Sequence, residues 1–149
     1  MGKECIIFTG LQASGKTTFR QRRFPDLAHV NLDTLHTRNR ERLLMEECFA
    51  SGTSFVVDNT NPSRKDRERY ITAAKEHGYR VTGYYFQSSI HACMERNRRR
   101  EGKARVPDVA LASTYSKLEV PAWEEGFDEL YYVRIDRETF VTEPWNEEN

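Results

Sequence analysis

Eight consecutive residues, Gly10-Leu11-Gln12-Ala13-Ser14-Gly15-Lys16-Thr17, match the pattern G-x-x-x-x-G-K-[ST] at every fixed position. The two glycines let the backbone curl so that successive N–H groups point inward at phosphate oxygens. A helix starting near Gly15 adds its positive dipole end. Lys16 has the reach for the β- and γ-phosphates, the Thr17 hydroxyl suits Mg²⁺, and Thr18 completes the candidate nucleotide site. The pattern serves kinases, GTPases and motor ATPases alike. Asn59-Thr60-Asn61-Pro62 does not match the guanine-reading Asn-Lys-x-Asp pattern, and 149 residues leave little room for the extra elements of a remodelling ATPase. The remaining reading is a small kinase.

Such a kinase needs a carboxylate near the end of the second strand to polarise the acceptor hydroxyl. Asp33, in Val30-Asn31-Leu32-Asp33-Thr34-Leu35, stands there, although an aspartate before a helix also reads as an N-cap. Asp58 closes the run Ser54-Phe55-Val56-Val57. It has three readings: a carboxylate that orients Mg²⁺ through water, a partner for a base at the acceptor site, or the start of an Asx-turn leading to Pro62. The stretch Arg96–Arg105 holds six basic residues against one acidic. It is either a solvated helix face or a lid whose arginines meet the charge that grows on a transferring phosphoryl group. Arg96 and Arg100 share one face if the helix extends that far.

Short β-branched or aromatic runs alternate with longer helical stretches, which predicts an α/β fold of the P-loop kinase type. Its sheet has about five mostly parallel strands, with helices on both faces. Strands are expected at Cys5–Thr9, His29–Asn31, Ser54–Asp58, Val81–Phe86 and Leu130–Ile135. Helices are expected from about Gly15 to Phe24, Arg38 to Ala50, Ser63 to His77, Ser89 to about Arg99, and Asp108 to Lys117. Pro25 stops the first helix, and Gly52 closes the second. Ser63 with Asp66 makes a capping box, and Gly78 ends that helix. The acidic segment over 136–149 reads as a loosely held tail.

The formal net charge of zero conceals an asymmetry. From Glu119 to Asn149 there are ten acidic and two basic residues, so the first 118 residues carry a net +8. The basic part, including Arg64, Lys65, Arg67 and Arg69, is a candidate surface for an acceptor backbone. The acidic end weighs against a broad nucleic-acid footprint. Composition, with 38% hydrophobic and 31% charged residues, is that of a soluble globular domain. No run approaches a membrane span, no signal peptide is evident, and Cys5, Cys48 and Cys93 match no metal spacing. The expectation is one cytoplasmic domain over 1–149 with reduced core cysteines. His29, His77 and His91 show no partner in the pattern and read as structural or solvent-exposed.

With these residues in view, the chain resembles the kinase domain of the polynucleotide 5′-hydroxyl kinases, in particular that of the bifunctional kinase–phosphatases. The resemblance runs through the phosphate loop, Val30-Asn31-Leu32-Asp33-Thr34-Leu35, Asp58-Asn59-Thr60-Asn61-Pro62, Arg96-Asn97, Val106-Pro107 and the aromatic, proline and Glu-Gly-Phe spacing of Tyr115–Phe127. It implies ATP and Mg²⁺ as cofactors, a 5′-hydroxyl DNA or RNA end as acceptor, and Asp33 as general base. It also implies that Arg96 and Arg100 are lid arginines and that Asp58 supports the acceptor site. Two positions depart from the family. Leu32 stands where an arginine is common, and His36 where some members meet an acceptor phosphate with arginine, leaving Arg38 as the available substitute. No Asp-x-Asp-Gly-Thr phosphatase motif is present, so the expected activity is kinase only. Two other readings stay open. One is a kinase for another hydroxyl, such as a hydroxymethylated base, a nucleoside or a small metabolite. The other is a nucleotide-binding module with negligible turnover.

Overall fold

The computed structural model describes residues 2–146. Strand β1 (Glu4–Thr9) passes through the glycine loop into helix α1 (Lys16–Arg23). β2 (Ala28–Val30) leads to the one-turn α2 (Leu32–Leu35) and to α3 (Arg38–Ser51). β3 (Phe55–Val57) is followed by α4 (Arg64–Glu76), and β4 (Arg80–Phe86) by α5 (Ile90–Arg98) and α6 (Asp108–Lys117). β5 (Glu129–Asp136) and β6 (Thr139–Pro144) close the chain as a hairpin. The sheet order is β2-β3-β1-β4-β5-β6, with the first five strands parallel and β6 antiparallel. The connection after β1 runs to one side, toward β2, and the connection after the adjacent β3 crosses to the other, toward β4. The phosphate loop therefore sits at the carboxyl edge of the strand where the winding reverses, the usual ligand crevice of such sheets.

Alternation along each strand divides the core. Cys5 and Ile7 of β1 join Val30, Phe55, Val57, Tyr70 and Ala74 under α3 and α4, whereas Ile6 and Phe8 join Phe19, Val56 and Phe86 under α1. Phe19 anchors α1. Its ring lies 5.7 Å from Phe8, 5.2 Å from Phe86 and 5.2 Å from Phe140, edge-on to all three. Each such aromatic pair adds about 0.5–1.5 kcal/mol beyond its buried area, which holds the N-terminus of α1 firmly at the loop. The three cysteines are free and buried, as expected.

Helix boundaries follow the local signals closely. Ser63 Oγ accepts from Asp66 N at 3.2 Å while Asp66 Oδ2 accepts from Ser63 N at 3.3 Å, the expected reciprocal box. Gly52 and Gly78 both adopt the left-handed conformation after their helices. Three expectations change. The acidic tail is not loose over 139–146: β6 pairs with β5 from Asp136↔Thr139 to Tyr131↔Pro144, and Trp145 is buried with its backbone N–H donating to Leu130 O. The turn between them uses Arg137 and Glu138 at φ 50° and 66°, without the glycine or asparagine that would announce a tight hairpin. Residues 147–149 of that expected tail lie outside the described residues. Asp33 is not a cap, because Asn31 Oδ1 accepts from Thr34 N at 3.1 Å and fills that role for α2. Finally, α5 stops at Arg98, so Arg96 and Arg100 do not share a helical face.

Candidate active site

The phosphate loop is built mainly by its backbone. A side chain at Gly10 would place its Cβ 2.9 Å from Phe86 Cβ and 2.9 Å from Ser14 Oγ, too close for any other residue. Gly15 has φ 97° and caps α1, with Phe140 against it. Lys16 is buried under the loop, where its Nζ donates to Gly10 O at 2.9 Å and Leu11 O at 2.6 Å. Burial pulls its pKa down to about 8, against the opposing pull of the Asp58 charge. These bonds fold the ammonium back against the carbonyls of the loop.

The segment Asp58-Asn59-Thr60-Asn61 fastens this loop to the second half of the site. Thr60 O accepts from Gly10 N at 3.0 Å, and Asn61 Nδ2 donates to Phe8 O at 2.8 Å. Asn59 Oδ1 accepts from Leu32 N at 3.0 Å, while its amide group faces Glu41 and the Tyr70 hydroxyl. Asp58 is buried, and its Oδ2 accepts from Thr17 Oγ1 at 2.9 Å and lies 2.7 Å from His29 Nε2. The carboxylate thus serves α1 and β2 rather than the Asx-turn, and His29 has a partner that spacing did not reveal. His77 stacks on Phe49 with ring centres 4.0 Å apart, and His91 is exposed.

These groups open on one cavity of about 750 Å³. Lys16, Thr17, Asp33, Asp58 and Arg100 all line it, as do Gln12, Ala13, Asn31, Asn59 and Thr60. Asp33 is exposed there, projecting from the first turn of α2. Lys103, absent from the predicted site, lines the cavity with Arg100; counting cations in the basic run could have flagged it. Arg96 lies apart, donating to Ala13 O at 3.2 Å from beneath the loop. His36 ends α2 at φ 72°, exposed and off the cavity wall. Arg38 turns to Glu41 Oε1 at 3.0 Å and to the Tyr70 hydroxyl at 2.9 Å. There it borders a second cavity of about 620 Å³ between α3 and α4, which Arg69 also lines. Arg67 is no part of a basic surface. It is fully buried, with Nε and Nη2 on the two oxygens of Glu125 at 2.8 and 3.0 Å. The Glu-Gly-Phe spacing is therefore structural: Glu125 neutralises Arg67, and Phe127 enters the core beside it. Arg64 is likewise occupied by Glu124 at 2.7 Å.

The oxygen donors fit Mg²⁺. Among the described residues no group of three or more His, Cys, Asp or Glu side chains forms a metal cage. One hydroxyl beside one buried carboxylate is what a cation shared with substrate phosphates requires.

A family model described as an AAA domain, AAA_33, matches residues 5–121. The chain belongs to that family. It is a P-loop kinase of the AAA_33 type. The chain is 27% identical over 149 aligned residues to a bifunctional polynucleotide phosphatase/kinase of Schizosaccharomyces pombe, a match covering 97% of this chain and 36% of that protein. An L-seryl-tRNA(Sec) kinase of Methanococcus maripaludis is 24% identical, over 83% of this chain and 55% of the relative. The chain therefore spans about a third to a half of the length of these relatives. A gluconokinase from Sinorhizobium meliloti 1021 superposes with a TM-score of 0.60 at 19% identity, covering 90% of this chain and 83% of that one, and shares the fold. Among the described residues no helix is long and apolar enough to cross a membrane.

Proposed function

We propose that this P-loop kinase uses ATP and Mg²⁺ to phosphorylate the 5′-hydroxyl of a polynucleotide end. The observation that carries the reading is the placement of the exposed Asp33 carboxylate on the same cavity wall system as Lys16, Thr17 and Arg100. The alignment over nearly the whole chain with a polynucleotide phosphatase/kinase supports the choice of acceptor. In the groove between α3 and α4, Arg38 and Arg42 are paired with Glu41 and Glu46, which leaves Arg69 there as the cation offered to an acceptor phosphate.

In this mechanism Lys16 leaves the Gly10 and Leu11 carbonyls for the β- and γ-phosphates, and the loop N–H groups hold the chain of phosphates in line. Asp33 accepts a hydrogen bond from the acceptor hydroxyl and so aims its oxygen at the γ-phosphorus. The acceptor O–P bond forms as the bond to the β-phosphate oxygen breaks, ADP leaves, and the hydroxyl proton passes to Asp33 and then to water. The transition state is largely dissociative, so orientation by the carboxylate matters as much as proton removal. Arg100 and Lys103 supply positive charge over the transferring group. Thr17 and Asp58 would hold Mg²⁺ with the nucleotide, and the cation would supply charge neutralisation to the phosphates.

A second reading keeps the same donor site and changes the acceptor. Leu32 lines the cavity beside Asp33 where the polynucleotide kinases favour an arginine, and an apolar wall suits a hydroxyl acceptor without an adjacent phosphate. Incubating the protein with γ-labelled ATP and a mixture of a 5′-hydroxyl DNA oligonucleotide, its RNA counterpart, a nucleoside and a sugar acid separates the two. Label on an oligonucleotide 5′ end supports the first reading, and label on a small acceptor alone replaces it with the second.

A further inference from the structure

We infer that His29 is a positioning residue of the donor site, acting through Asp58 on the Thr17 hydroxyl and hence on how the nucleotide and its Mg²⁺ are held. The strand alternation of β2 sends Ala28 and Val30 to the core under α3 and leaves His29 on the α1 side, facing Thr17 and Asp58. The end of β2 grips Asp58 at three points. Val30 O accepts from Asp58 N at 2.8 Å, Asn31 Nδ2 donates to Asp58 O, and His29 Nε2 lies 2.7 Å from Asp58 Oδ2. The Thr17 hydroxyl donates to that same Oδ2 at 2.9 Å, and neither contact uses Oδ1. The imidazole therefore fixes the rotation of a buried carboxylate, and the carboxylate fixes the direction of the Thr17 hydroxyl. With its proton committed to Asp58, the Thr17 oxygen presents its lone pairs to the cavity, which is the orientation a cation needs. Without His29 the carboxylate is free to turn about its last bond, and Thr17 loses that direction.

Partners of this outer kind change metal affinity by about 10- to 100-fold when removed. The inference rests on the nucleotide site alone and is independent of which acceptor is phosphorylated. The test is the affinity of a fluorescent ADP analogue, measured in EDTA and across an Mg²⁺ titration with no acceptor present. His29→Leu is expected to leave the EDTA affinity within about twofold and to raise the Mg²⁺ concentration for half-maximal enhancement by roughly tenfold. His29→Gln, whose amide N–H reaches the same oxygen, is expected to restore most of the loss. Equal losses with and without Mg²⁺, or a His29→Gln protein no better than His29→Leu, would overturn the assignment and leave His29 as a packing residue. Should His29→Leu fail to fold, His29→Gln against His29→Asn carries the same test, since the shorter asparagine amide falls short of Asp58. Identical Mg²⁺ dependence in that pair would likewise refute it.

Discussion

The two halves of the cavity are built in opposite ways. On the donor side nearly every polar group is already bonded: Lys16 to loop carbonyls, Thr17 and His29 to Asp58, Thr60 and Asn61 to the end of β1 and the start of the loop. On the other side Asp33 is exposed on the wall, while His36 lies off it and Arg38 faces a different groove. Under the proposed function the first half binds the phosphate donor, and its geometry is held by backbone and buried bonds. Under the same proposal the second half would set the acceptor through Asp33, which projects from one short helix turn.

The largest expected effect is on the donor side. Lys16→Ala should lower transfer by roughly 10²–10³-fold, the scale for removing one preorganised charge contact. The protein should stay folded, because what it loses is a buried ammonium held only by carbonyls and Ser14 Oγ. Near-parental turnover in a folded Lys16→Ala protein would place the chemistry elsewhere.

Next come the arginines, which sharpen the boundary between the halves. Arg100 lines the cavity and Arg96 bonds the loop from behind. Arg100→Ala should therefore lower kcat by about tenfold or more with little change in resting ATP affinity, the mark of an interaction made in the transition state. Arg96→Ala should act mainly on ATP affinity. Arg98→Ala and Arg99→Ala, both exposed, should stay within about twofold of the parent. Steady-state kinetics on the four variants distinguish these outcomes, and a uniform response would reduce the run to a solvated surface.

The smallest effect is a pH dependence. Burial pulls the Lys16 pKa down to about 8, whereas bound phosphates favour its charged form. Binding thus takes up a proton above pH 8. ATP affinity is full below that pH and declines above it, approaching about tenfold per unit. Titrations at pH 7, 8 and 9 should show this slope, and Lys16→Arg should remove it, because a guanidinium remains charged throughout.

How much of this was legible follows the same division. The phosphate loop, the capping box at Ser63 and the parallel strands were readable because each depends on residues close together in the chain. Arg67 was misread as surface because its partner Glu125 lies 58 residues on, and a helix with several basic neighbours looks solvated until that pair is known. His29 was passed over for the same reason, with Asp58 29 residues away. Asp33 as a cap lost to Asn31, two positions earlier and equally suited by residue type. Strand β6 escaped notice because its turn spends two left-handed residues on Arg137 and Glu138. The roles of Asn59 and Asn61 became visible only with the loop they fasten.

The most direct measurement is made on one Asp33→Asn preparation: thermal stability, ATP affinity and transfer to a 5′-hydroxyl oligonucleotide. Asparagine keeps the shape of the side chain, and the cap of α2 belongs to Asn31, so stability and ATP affinity should be unchanged. Transfer should fall by roughly 10²-fold or more, the usual scale for a positioned base. If transfer survives alongside stability and ATP affinity, the acceptor hydroxyl is not held by Asp33, and the division of the cavity into donor and acceptor halves is wrong.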